Sequence, residues 1–279
     1  LSFTPLLPKF SFCCRWLNWG NLALSLLFAA GALYAGVKVP VVKNVHIPSE
    51  RLAREYTVVV LSDLHIHRVI NPQKIERIVS LANARNPDVV LLAGDIIDDD
   101  VRRVSKITAL LKGLKASKGI YFVTGNHEFY AGYDETVREL ANLGFMFLEN
   151  DGAAVGEDLY LAGVPDTFAG AAYGKTPDLN RAFAKAGKGA FRLLVSHTPS
   201  DFAGRDFDLE VSGHTHGGQI FPFHIFAKLH NKYLSGLYPM PGGAEIYVSN
   251  GAGQWGPQMR FLAPSEITVL KLTPEKQEK

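Results

Sequence analysis

Five short segments hold nearly all the residues in this chain whose types and spacing suit chemistry. They are Ser62-Asp63-Leu64-His65, Gly94-Asp95, Gly125-Asn126-His127-Glu128, His197 and Gly213-His214-Thr215-His216. Each closes a run of apolar residues rich in β-branched types. Carboxylates, imidazoles and one amide at strand ends point to a preassembled two-metal site. Borderline cations such as Zn²⁺, Mn²⁺ and Fe accept mixed imidazole and oxygen ligands. Two of them held about 3.5–4 Å apart clamp both the attacking and the leaving oxygen of a phosphoryl transfer. Leu64 and Thr215 each separate two candidate residues by two positions, which in extended chain throws both side chains to one face.

Strands must deliver these segments to a common edge. Strand patterns fall at 57–61, 89–92, 120–123, 145–148, 159–162, 191–195, 209–211, 245–248 and 267–272. Apolar spacings of three and four mark helices around Ile75–Ala82, Val104–Leu114 and Val137–Ala141, with a weaker one over 177–186. The first half therefore alternates strand and helix, which implies parallel strands with right-handed crossovers. The second half is richer in strands and turns. In open α/β sheets ligands collect at the carboxyl ends of the strands, so all five segments can meet at one edge.

At 279 residues, 47% hydrophobic and +2 net charge, the chain suits one large domain, or a domain with an appendage. The near-neutral balance lacks the basic excess of a dedicated nucleic-acid binder, so no nucleic-acid partner is expected. The only cysteines, Cys13 and Cys14, are adjacent and lie outside the main body, so they neither staple it nor ligate the proposed metals. Acylation of these thiols beside a membrane is an alternative to their being unremarkable.

The chain opens on Leu1, which suggests a fragment or processed product, and residues 1–12 read as a loop. From Trp16 to Val37 no charged side chain occurs. Roughly 20 helical residues span the ~30 Å hydrocarbon layer. Trp16, Trp19 and Tyr34 suit the interfaces, with Arg15 and Lys38 as flanking anchors. A membrane anchor is thus favoured over a cleaved signal peptide or a buried core helix. Four organisational units follow: a juxtamembrane segment and transmembrane anchor over 1–38, a linker over 39–56, a catalytic domain over 57–273 and a charged tail over 274–279. Lys38, Lys43, Arg51 and Arg54 follow the anchor, which leans the domain toward the cytoplasmic face of the cell membrane.

The five segments together resemble the motifs of calcineurin-like metallophosphoesterases, in the branch of membrane-anchored or exported bacterial phosphoesterases. The likeness extends through Gly217-Gly218-Gln219-Ile220 and Tyr247-Val248-Ser249-Asn250-Gly251-Ala252-Gly253, and covers about residues 40–272. It implies a four-layer α-β-β-α sandwich, two sheets face to face with helices outside. It also implies two divalent transition-metal ions, one on Asp63, His65 and His216 and the other on Asn126, His197 and His214, bridged by Asp95. Adjacent cations lower the pKa of a shared water, providing hydroxide near neutral pH. His127 is then the proton donor to the leaving oxygen. In related Ser/Thr phosphatases an Asp three positions after the bridging one orients this histidine, and here that residue is Asp98. The next residue is Asp99 instead of Arg, a departure that counts against a phosphoprotein substrate.

His67 and Arg260 are weaker candidates for substrate contact, with packing or surface roles as the alternatives. Glu128 reads as a loop holder. The anchor favours a lipid-linked substrate over a phosphorylated small molecule. Related enzymes cleave the pyrophosphate of UDP-2,3-diacylglucosamine, which makes it the most concrete expectation. A phosphodiesterase or nuclease acting on soluble nucleotides or nucleic acid is the rival class. A non-catalytic module, which would have lost ligands, is disfavoured.

Overall fold

The computed structural model describes residues 7–200, 202 and 206–275, with side chains from Leu17 onward. Along the chain, α1 (Leu7–Val37) is followed by β1 (Val41–Ser49), β2 (Tyr56–Leu61), α2 (Pro72–Asn83) and β3 (Val89–Ala93). Then come α3 (Val101–Thr108), β4 (Ile120–Val123), α4 (Asn126–Asn142) and β5 (Met146–Phe147). The second half contains β6 (Asp151–Ala154), β7 (Leu159–Gly163), α5 (Leu179–Ala182), β8 (Phe191–Val195) and β9 (Leu209–Ser212). It ends with α6 (Phe223–His230), β10 (Gly236–Pro239), β11 (Glu245–Val248) and β12 (Glu266–Pro274).

The strands form two six-stranded sheets, ordered β1-β12-β2-β3-β4-β5 and β10-β11-β9-β8-β7-β6. Period-two alternation decides which side chains face where. Val58 and Val60 join Leu91, Leu193, Val195 and Val211 in the core between the sheets. Val59, Leu61, Val90, Leu92 and Phe122 point the other way, against Ile75 and Ile78 of α2 and Leu140 of α4. Each such Val or Leu contributes about 1.5–3 kcal/mol on burial. The outer face of the second sheet is covered by Ala182, Phe207, Tyr233 and Met240. The four layers implied by the resemblance are present.

Parallel pairing of β2, β3 and β4 in one sheet, and of β8, β9 and β11 in the other, points three carboxyl ends the same way within each. The helices between them obey local rules. Pro72 opens α2 behind Asn71, whose side chain accepts from the Gln73 amide. Asp100 caps α3 by accepting from the Arg102 amide, as its place in the acidic turn suggests.

Three expectations need correction. The stretch read as a linker contains β1, which pairs in parallel with β12 from Val41↔Glu266 to Ser49↔Pro274. Its polar Lys43, Asn44 and His46 suit an edge strand with one partner, whose pairing to a strand more than 200 residues away leaves no local signal. The helix expected over 177–186 shrinks to Leu179–Ala182. Helix α1 begins at Leu7, within the stretch read as a loop. Helix α6 was not anticipated, because it packs no buried face. The side chains of Cys13 and Cys14 and residues 276–279 of the tail lie outside the described residues.

Candidate metal centre

Asp63 and His65 leave β2, Asp95 leaves β3, Asn126 and His127 follow β4, His197 follows β8, and His214 and His216 follow β9. Their backbones interlock before any side chain is considered. The Asp63 amide donates to Gly94 O, the His65 amide to Asp95 O, and the Gly213 amide to His197 O. The His127 amide donates to Asp95 Oδ1 and the His214 amide to Asp63 Oδ1.

Among the described residues three groups of donor atoms result: Asp63, His65 and His216; Asp95, His197 and His214; and His65, Asp98 and His127. In the first, His65 Nε2 and His216 Nε2 face each other at 3.0 Å, with His216 Nε2 3.4 Å from Asp63 Oδ1. In the second, His197 Nε2 lies 3.1 Å from Asp95 Oδ2. Asn126 Oδ1 closes on His214 Nδ1 at 2.9 Å. Asp95 Oδ2 also lies 3.7 Å from His65 Nε2, so one carboxylate faces both groups.

The donor chemistry fits cations. His197 Nδ1 meets Ala93 O at 2.8 Å, which assigns a proton to Nδ1, so that Nε2 carries the lone pair whenever the ring is neutral. That Nε2 is buried without an aligned hydrogen-bond partner, facing an acceptor carboxylate. A buried lone pair facing a carboxylate needs a proton or a metal ion between them. Burial holds His216 well below the usual imidazole range and lowers His214, whereas the Asp95 carboxylate raises His197 against its burial. Neutral imidazoles are the form that binds metal.

Five candidate ligands have left-handed backbone, at φ 55° for Asp63, 46° for His65, 52° for Asp95, 67° for His214 and 51° for His216. Outside glycine such conformations cost about 1–3 kcal/mol each and gather where function requires them. They are held by tight neighbours. A Cβ at Gly125 would lie 2.2 Å from Asp95 Oδ1, so only glycine lets β4 end this close to the carboxylate.

His127 Nδ1 is hydrogen-bonded to Asp98 Oδ1, and His65 Nδ1 lies 3.4 Å from Asp98 Oδ2. Burial alone would push Asp98 up; the His127 hydrogen bond and the nearby His65 imidazole hold it well below the usual carboxylate range instead. Burial would likewise push His127 down, but the Asp98 hydrogen bond and the Asp95 charge raise it. Glu128 is fully buried and accepts from the Asp95, Ile96, Ile97 and Gly125 amides. It ties the β3 and β4 loops together and touches no cleft.

A polar cleft of about 200 Å³ is lined by His65, Asp95, Asn126, His127, His214, His216 and Trp255. Neither His67 nor Arg260 lines it. Arg260 is fully buried, and its guanidinium donates to the carbonyls of Gly253, His216, Ala263 and Asn250 and abuts His216 Nδ1. Burial lowers its pKa to about 10. It therefore organises the loop behind His216 and has no donor left for a phosphate. Arg260→Met should lower unfolding stability by about 3 kcal/mol or more, because several buried carbonyls lose their donor at about 1–3 kcal/mol each. A rise in KM at unchanged thermal stability would return Arg260 to the substrate. Sequence reasoning missed Trp255 and Asp166. The Asp166 carboxylate is fully buried and accepts from the Phe168 and Ala169 amides and from Thr198 Oγ1, fixing the chain beside His197. Its only sequence signal was its position just past the end of β7.

Residues 56–218 match the family model for calcineurin-like phosphoesterases. A metallophosphoesterase of Helicobacter pylori is 37% identical over 260 residues, covering 92% of this chain and 70% of the relative. One from Campylobacter jejuni is 33% identical, covering 91% and 69%. A Danio rerio protein described as a transmembrane protein with metallophosphoesterase domain is 34% identical, covering 90% of this chain and 61% of its own length. The chain belongs to the calcineurin-like metallophosphoesterase family. It is a metal-dependent phosphoric ester hydrolase, and its clusters of carboxylate and imidazole are candidate sites for the divalent ions that family uses.

Proposed function

We propose that this protein is a membrane-associated, dinuclear phosphoesterase that cleaves a phosphate ester or pyrophosphate carrying a lipid portion. Asp63, His65 and His216 would hold one ion, Asn126, His197 and His214 the other, with Asp95 between them. The pair supplies Lewis-acid charge for the phosphoryl oxygens and makes water a competent nucleophile near neutral pH. Around it, His127 hands its Nε2 proton to the leaving oxygen while Asp98 holds the ring and keeps it charged. The span Leu17–Val37 is long and apolar enough to cross a bilayer, and the positive charges after it lean the domain to the cytoplasmic side.

One observation carries the substrate class. A cavity of about 440 Å³, lined by Ile220, Phe223, Phe226, Ala227, Trp255 and Pro257, also reaches His214 and His216. The polar cleft shares Trp255, His214 and His216 with it. A phosphate in the cleft thus has an apolar room next to it, which suits hydrocarbon better than a polyanion.

Turnover on UDP-2,3-diacylglucosamine, on its deacylated form and on bis-p-nitrophenyl phosphate tests this. Burying a few methylenes at about 0.8 kcal/mol each predicts a kcat/KM at least about 30-fold higher for the acylated form. Equal kcat/KM on both forms would remove the acyl reading. A preference for small soluble diesters would move the enzyme to nucleotide-type substrates.

A further inference from the structure

Helix α1 is docked along the catalytic domain and does not simply lead into it. A Cβ at Gly36 would lie 2.3 Å from Gln258 O, so the two backbones are in contact there. Higher up the helix, the Arg260 amide donates to Ala32 O at 2.9 Å, and Phe28 packs on Phe261 with ring centroids 4.5 Å apart. The buried Lys74 ammonium donates to Gly36 O at 3.0 Å and to Gln254 Oε1 at 2.5 Å, pinning the helix end to the loop that presents Trp255.

The heights along α1 matter. At ~1.5 Å rise per residue, Phe28 stands about 14 Å above Val37. The 21-residue apolar span Leu17–Val37 just covers the ~30 Å hydrocarbon layer, which puts Phe28 near its middle. Phe261 reaches the same level. Sliding α1 outward until Phe28 met the surface would draw Arg15 into hydrocarbon and leave Leu33 and Tyr34 in water.

The segment beside Phe261 is dressed for lipid. The Phe221 amide donates to Phe261 O at 3.1 Å, and α6 begins two residues later. No residue of α6 is buried. Phe221, Phe223, Ile225, Phe226, Leu229 and Leu262 are between 44% and 80% exposed. So dense an apolar patch, continuous with a helix that spans a bilayer, marks a membrane contact.

We propose that the catalytic domain is partly embedded: α6 and the Phe261-Leu262 turn penetrate the leaflet adjoining the carboxyl end of α1, and bilayer hydrocarbon covers their exposed face. Phe223 and Phe226 belong both to that face and to the lining of the apolar cavity. A lipid chain therefore passes from bilayer to cavity without crossing water. The proposal rests on the reading of α1 as a membrane span, and takes nothing from the choice of substrate.

The test uses the full chain with Cys13→Ser and Cys14→Ser, reconstituted in phosphatidylcholine–phosphatidylglycerol vesicles. Single nitroxide labels are placed at Phe226, Leu229, Leu262, Leu24 in α1 and Lys185 after α5, each replaced by cysteine. Circular dichroism confirms that every labelled chain is folded. Collision with oxygen should exceed collision with an aqueous nickel chelate at positions 226, 229, 262 and 24, and the reverse should hold at 185. Aqueous behaviour at 226, 229 and 262 with a deep label at 24 would overturn the embedding and leave the anchor intact. Aqueous behaviour at all five would overturn both.

Discussion

Asp95→Asn is expected to strip the protein of divalent metal and of turnover together. The carboxylate faces both donor groups, at 3.1 Å from His197 Nε2 and 3.7 Å from His65 Nε2. Burial would push Asp95 up, yet the imidazoles gathered around it, His197 first, hold it well below the usual carboxylate range. Asparagine keeps the shape and removes the charge, leaving imidazoles, amides and one carboxylate to hold two cations. Elemental analysis of the purified wild-type protein should show two divalent transition ions per chain. Chelation should abolish activity, and Mn²⁺ or Zn²⁺ should restore it. One ion or none at saturating Mn²⁺ with full activity would sink the dinuclear reading, as would an Asp95→Asn variant that still carries two.

His127→Ala is expected to keep both metals and lose about 10²–10⁴-fold in kcat, the usual size of a general-acid contribution. Its ring lines the cleft, but its Nδ1 is committed to Asp98. Asp98→Asn should give a milder loss with a distinct signature. A proton donor must be charged, so turnover falls as pH rises through the folded pKa of His127, which lies above the ordinary imidazole value. Asparagine still offers an acceptor oxygen but removes the Asp98 charge, which lowers that pKa, so the alkaline limb of the kcat profile should move to lower pH. An emptied metal site in His127→Ala would make His127 a ligand instead. An unmoved alkaline limb in Asp98→Asn would disconnect the pair.

Much of the fold was legible because its strands carry their own signals. The runs Val58-Val59-Val60-Leu61 and Val89-Val90-Leu91-Leu92 are buried on both faces, so β2 and β3 read as continuous apolar stretches bounded by turns. Helix α2 shows its core face in Ile75, Ile78, Val79 and Ala82. By contrast, β1, β6 and β10 are half-exposed edge or near-edge strands, and Asp151-Gly152-Ala153-Ala154 and Gly236-Leu237-Tyr238-Pro239 have no strand pattern of their own. They are strands because a neighbour supplies the hydrogen bonds.

The same division runs through the site. Residue type and position after a strand are local properties, so the sequence by itself determined which carboxylates, imidazoles and amide stand at the strand ends, and that an uncharged stretch precedes them. Only the tertiary structure decided what depends on contacts between distant segments. Arg260 carries the same charge in a phosphate site as in a buried cradle of carbonyls, and its burial alone tells the two apart. The left-handed backbone at Asp63, His65, Asp95, His214 and His216 is imposed by interlocked loops and has no signature in residue type. The docking of α1 at Phe28, Ala32 and Gly36 against residues 258–261 joins segments more than 200 residues apart, so the position of α1 relative to the site is written in packing alone.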